Sequence, residues 1–172
     1  VEAKDAVAEV IGVAAVTALP PPFATLRIYA NDGSDIDVLY HSQSETYEVY
    51  YTAGTEFGDE INLISNISRP NNTLGEFSFE AYGDAVEAAT GTATLRIYAN
   101  DGAAYAGTGG TLAASKEPGT LLYTSDAISL KDGYQTYTVS DIGDITLPDK
   151  VTWTVEFSTG STAGLVLGGT DV

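Results

Sequence analysis

The sequence predicts an all-β protein, an antiparallel β-sandwich preceded by an N-terminal extension. Three observations carry that reading. A ten-residue string, Ala-Thr-Leu-Arg-Ile-Tyr-Ala-Asn-Asp-Gly, stands at residues 24–33 and returns unchanged at residues 93–102. Each copy is an alternating strand that runs into an Asn-Asp-Gly turn, the pattern of a β-hairpin. Short runs rich in Thr, Tyr, Val and Ile recur along the chain, bounded by Gly, Asn, Asp or Pro, as antiparallel strands and their turns require. Hydrophobic residues make up 44% of the chain, Gly accounts for 18 residues, and Thr, Tyr, Val and Ile are spread throughout rather than clustered, the profile of a strand-and-turn protein and not of a disordered one.

Residues 1–22 form an apolar extension and proline linker. Between residues 6 and 19 only Glu9 is charged, and Pro20-Pro21-Pro22 follow. Val7, Val10, Ile11 and Ala14 share one helical face, yet the same stretch, with Val13 and Val16, also reads as a strand buried on both sides. Both readings stand, with strand preferred. The three prolines act as a stiff extended spacer that lets the segment pack away from its sequence neighbours.

Residues 23–172 form the sandwich. Strand signals fall at residues 25–30, 38–41, 47–52, 60–64 and 76–82, then at 94–99, 120–124, 135–139, 144–147, 151–157 and 163–167. The repeat extends beyond its identical core. Val38-Leu39-Tyr40-His41-Ser42 resembles Leu121-Leu122-Tyr123-Thr124-Ser125, Glu45-Thr46-Tyr47-Glu48-Val49 resembles Gln135-Thr136-Tyr137-Thr138-Val139, and Phe77-Ser78-Phe79-Glu80 resembles Trp153-Thr154-Val155-Glu156. The main difference is a loop over residues 103–118, an insertion of the kind that loop tips tolerate. Within the repeat Leu26, Ile28 and Ala30 point to the core and Thr25, Arg27 and Tyr29 away from it. Arg27 and Arg96 are among few cations, and an ion pair across neighbouring strands is their natural use.

Composition narrows the partners. With 24 acidic residues against seven Lys and Arg, the formal charge is -17, which repels phosphate backbones and anionic lipid alike, so nucleic acid is excluded as a partner. Cysteine is absent, leaving no disulfide or thiolate metal site. No run of 18 apolar residues exists, so no helical membrane span is expected. A chain that begins at Val1 without an initiator Met reads as a processed, exported product.

A resemblance adds to this reading. Gly58-Asp59-Glu60-Ile61, the run from Leu74 to Gly83, the strand from Leu95 to Gly102, Pro118-Gly119-Thr120-Leu121-Leu122-Tyr123, Gly133-Tyr134-Gln135-Thr136 and the stretch from Leu147 to Phe157 look like the secreted β-sandwich domains of environmental bacteria that often carry an exosortase (PEP-CTERM type) sorting signal. The likeness covers roughly residues 54 to 169. It implies an antiparallel jelly-roll-like β-sandwich, export to the cell surface or biofilm matrix, and no catalytic residues to carry over. The chain departs from that pattern in having no sorting tail after Val172 and in carrying residues 1–53 ahead of the matching region.

Five groups of residues bear on chemistry. Asp32, Asp35 and Asp37 gather within Asn31-Asp32-Gly33-Ser34-Asp35-Ile36-Asp37, which offers oxygen ligands to Ca2+ or, equally, side-chain acceptors for a plain hairpin turn. The second copy lacks the later acids. Tyr50, Tyr134 and Trp153, within a wider set of Tyr47, Tyr51 and Tyr137, offer rings on which a sugar can stack, against the alternative that they fill the core or a subunit contact. The single histidine, His41, neighbours Ser42, but adjacent strand residues face opposite ways and form no dyad. Glu76 with Glu80 or Glu156 is a carboxylate pair by availability only. Asn66-Ile67-Ser68 and Asn71-Asn72-Thr73 match the N-glycosylation sequon and mark a polar loop.

The expected function is that of a non-catalytic extracellular structural protein that assembles with itself into a surface fibre, sheath or matrix. Its subunit interface is the apolar extension, through Val7, Val10, Ile11, Val13 and Val16, donated to the sheet of a neighbouring copy. Head-to-tail donation of this kind does not close and so makes a filament. The alternative is a carbohydrate-binding or adhesive module whose partner is a glycan.

Overall fold

A computed structural model describes residues 8–10, 24–29, 36–41, 48–51, 54–62, 72–104, 116–140, 142–143, 145–158 and 162–167. In chain order the elements are β1 (Ala8–Val10), β2 (Ala24–Tyr29), β3 (Ile36–His41), β4 (Glu48–Tyr51), β5 (Glu56–Asn62), β6 (Asn72–Gly83), the single helical turn α1 (Glu87–Thr90), β7 (Thr92–Ala99), β8 (Leu121–Thr124), β9 (Ile128–Ser129), β10 (Gly133–Val139), β11 (Ile145–Leu147), β12 (Lys150–Phe157) and β13 (Gly164–Leu167). Every strand expected from residue 25 onward is present, with ends moved by a few residues. The largest shift is at β5, expected over 60–64 and found over Glu56–Asn62. The expected bounds leave Gly58 outside the strand. In the fold it is required, because a Cβ there would lie 1.8 Å from the Trp153 carbonyl oxygen.

The strands form two antiparallel sheets. The first runs β1-β5-β12-β7-β8, with β9 also on β7. The second runs β3-β2-β6-β13-β4, with β10 and β11 in series along β6. Alternation sets the faces: β7 is buried at every second position, and Phe57, Ile61, Leu95, Ile97, Val151, Trp153 and Val155 of the first sheet meet Leu74, Phe77, Phe79 and Leu165 of the second in one core. The rings of Phe77 and Trp153, one from each sheet, lie 5.1 Å apart at 50°, a tilted geometry that aromatic quadrupoles favour.

The two identical decapeptides occupy matching seats in opposite sheets. One is β2, between β3 and β6; the other is β7, between β8 and β12. The flanking strands are the pairs that resemble each other in sequence, but they are displaced along the repeat. Tyr40 and Phe77 both lie opposite Leu26, whereas their counterparts Tyr123 and Trp153 both lie opposite Ile97, the equivalent of Ile28. A slide of two residues keeps every side chain on its own face, whereas a slide of one would turn the core outward.

Candidate functional site

The candidate site is the edge of the first sheet, where β1 meets β5. β5 reads Glu-Phe-Gly-Asp-Glu-Ile-Asn, so alternation sends Phe57, Asp59 and Ile61 inward and Glu56, Gly58 and Glu60 outward. The burial agrees: Phe57, Asp59 and Ile61 are buried and the two glutamates are partly exposed. One edge of β5 pairs with β12 through seven residues, from Glu56↔Glu156 to Asn62↔Lys150. Its other edge pairs with β1 through three, Ala8↔Asp59, Glu9↔Gly58 and Val10↔Phe57. Asp59, a wholly buried carboxyl, therefore stands between Trp153 on one side and Ala8 on the other.

A polar network on the outer face fastens β5 to the strands behind it. Glu56 and Glu156 face each other directly, an unfavourable pairing of like charge that Arg96 bridges: its Nη1 donates to Glu56 Oε1 and, at 2.7 Å, to Glu156 Oε2. Tyr98 Oη and Thr154 Oγ1 donate to Glu56 Oε2 at 2.9 and 3.0 Å. Four residues along, Glu60 accepts from Asn100 Nδ2 at 2.7 Å and pairs with Lys150 at 3.2 Å, while Thr152 Oγ1 donates to Asn100 Oδ1 at 2.6 Å. Thr152 and Thr154 are completely covered by these longer chains. Burial works to lower the Arg96 pKa, but the Glu156 hydrogen bond and the charges of Glu56 and Glu156 outweigh it and hold the guanidinium above its ordinary value. Burial and the hydrogen bond to Glu56 push Tyr98 from 10.0 to about 12.

The cross-strand ion pair expected of the decapeptide arginine is thus present at Arg96. Arg27 stands opposite Glu76 in β6. Sequence reading missed Glu56, Glu60, Asn100 and the two buried threonines, although the alternation Lys150, Thr152, Thr154, Glu156 against Val151, Trp153, Val155, Phe157 holds the signal.

No family model, curated protein or solved structure matches this chain.

Other candidate residues are dispersed. Trp153 is fully buried, which corrects its assignment as a glycan contact: a ring inside the core offers no face to a sugar. Tyr134 is half exposed and lies opposite Tyr82, ring centroids 5.0 Å apart. Tyr50 stands in β4 opposite Leu165, its side chain outside the described residues. Glu76 and Glu80 lie on the outer face of one sheet and Glu156 on the outer face of the other, so Glu156 pairs with neither. Of the calcium candidates, Asp37 is in β3 opposite Ile28, while Asp32 and Asp35 lie outside the described residues. In the second copy Asp101 accepts from both Thr120 N and Thr120 Oγ1 at 2.7 Å, and these bonds lower its pKa. That is a turn clamp. Among the described residues no group of three or more acidic or histidine side chains is placed to hold a metal ion, and no helix is long and apolar enough to cross a membrane. Of the interface candidates, Val10 is opposite Phe57; Val7, Ile11, Val13 and Val16 lie outside the described residues.

Proposed function

We propose that the chain is a non-catalytic extracellular structural protein whose subunits join into a fibre, sheath or matrix at the cell surface by exchanging β1. The observation that carries this reading is the β1–β5 edge. A seven-residue strand, fastened from behind by the Arg96 and Glu60 networks, is closed on its other side, among the described residues, by three residues. The expectation from sequence put the extension against an adjacent copy; here Ala8–Val10 pairs within its own chain. This pairing uses backbone groups in a fixed register, so a strand from a neighbour fits the same seat. A few backbone hydrogen bonds, each about 1 kcal/mol net, hold it there, and exchange of identical elements is a low-cost route between monomer and polymer. The low charge of residues 6–19 suits burial against a neighbour. Removing residues 1–19 is expected to abolish polymers in electron images of the purified protein while far-UV circular dichroism keeps its strand signal; unchanged polymers would overturn the reading.

A second reading, an adhesive glycan-binding module, is favoured by the surface pair Tyr82 and Tyr134. It expects glycan-array binding that is lost on Tyr134→Ala.

A further inference from the structure

Among the described residues, β10 is the one rim strand of more than four residues that carries no charge. Among the described residues, the other rim strands are charged, short or irregular: β3 contains Asp37, β4 contains Glu48, β1 contains Glu9, β8 is four residues long with a register shift against β7, and β9 and β11 are only two and three residues long. β10 reads Gly-Tyr-Gln-Thr-Tyr-Thr-Val. It pairs with β6 residue for residue from Gly133↔Gly83 to Val139↔Phe77 without a bulge, and among the described residues it pairs with no other strand. Charge, proline and bulges are the usual devices that stop an edge from recruiting a further strand. β10 has none of them, in a chain whose net charge is -17.

We infer that β10 is a self-pairing edge, which joins two copies of this chain antiparallel about a two-fold axis through Thr136 and fuses their second sheets into one. A second copy is the fitting occupant for two reasons. Molecules of charge -17 repel, so a strand with no charged side chain of its own is where two of them meet with least opposition, although Glu80 stands behind it in β6, opposite Thr136. The outward side chains also match themselves. Tyr134, Thr136 and Thr138 share the exposed face. About Thr136 the pairing sets Tyr134 against the partner's Thr138, an aromatic beside a β-branched residue, and sets Thr136 against the partner's Thr136, a hydroxyl pair; both combinations stabilise antiparallel sheets. On the inner face Gln135 meets the partner's Tyr137. The contact is isologous and closes on itself, so it is distinct from the open-ended β1 exchange and does not depend on it.

The chain has no cysteine, which makes the register directly testable. Opposed residues in an antiparallel pair have Cα atoms about 4.5–5.5 Å apart, within disulfide reach. Under mild oxidation the full-length Thr136→Cys chain is expected to run as a covalent dimer on non-reducing denaturing gels. The Thr138→Cys chain places its two sulfurs about four strand residues apart, roughly 14 Å, and is expected to give at least ~10-fold less dimer, since that span exceeds the reach of the bond. The double variant Tyr134→Cys/Thr138→Cys restores the link and guards against a folding defect at position 136. Denaturation separates chains joined only by β1, so the gel reports this contact alone. Absence of dimer from both Thr136→Cys and the double variant, or equal linking at 136 and 138, would overturn the inference.

Discussion

Tyr98 shows how a single side chain couples the outer network to solution conditions. Its hydroxyl donates to Glu56 and its pKa rises from 10.0 to about 12 on folding, through burial first and that hydrogen bond second. The folded state thus holds the proton more tightly than the unfolded chain. The contribution to stability is complete below pH 10 and is lost as pH climbs from 10 toward 12. Tyr98→Phe is expected to flatten the fall in urea midpoint between pH 10 and 12, measured against the parent protein; an equal slope would mean that Tyr98 has no share in that fall. Burial also raises Tyr123 and Tyr137, so some alkaline loss persists in the variant. At this scale the sequence was legible wherever alternation was unbroken. It placed Arg96 on the outer face among acids, and its parity set Trp153 with Val151 and Val155 on the core side, against the assignment of that ring to a sugar. Gly58 defeated it, because a glycine demanded by close strand approach looks the same as one demanded by a turn.

At the scale of elements, β8 shows how side chains take over where a ladder stops. The strand ends at Thr124, and the next residue, Ser125, continues the pairing: its N–H donates to the Leu95 carbonyl at 2.9 Å, its Oγ accepts from Leu95 N at 3.0 Å, and Oγ donates to the Asp126 carbonyl at 2.8 Å. Ser125 is buried, so Ser125→Ala leaves the Leu95 N–H without that acceptor, at a cost of about 1–3 kcal/mol. Chemical denaturation should show a lowered midpoint with unchanged slope; no change in midpoint would mean that the Ser125 hydroxyl carries no weight. The strands from β2 onward were legible because each is a local pattern with its own turn residues. β9, only Ile128–Ser129, is too short to leave a pattern, and the partner of β1 was illegible because pairing between residues 8–10 and 57–59 is decided by the whole topology.

Over the whole molecule, the strongest influence outside the core is charge. At -17 any association between copies, through β1 or β10, works against long-range repulsion that salt screens. The Debye length falls from about 30 Å at 0.01 M salt to about 8 Å at 0.15 M. Assembly followed by light scattering is therefore expected to quicken and extend as sodium chloride rises over that range. Assembly that weakens with added salt would mean that attraction between opposite charges, rather than strand pairing, holds the copies together. The charge itself was plain in the composition, and the sandwich in the recurrence of short alternating runs bounded by turn residues. The meeting of two copies of one decapeptide with near-equivalent neighbours in opposite sheets was only partly so, since the two-residue slide lies in no local pattern.

That duplication has a consequence for how the chain reaches its native state. Before tertiary contacts form, residues 24–33 and 93–102 are indistinguishable, so each is able to enter the seat of the other. Both slots offer acids to the arginine, Glu56 and Glu156 in one and Glu76 in the other, so what rejects a crossed threading is the different sequence that continues from each end of the two copies. Two interchangeable keys are told apart only by the chains that carry them, so the sorting falls to contacts made outside the repeat.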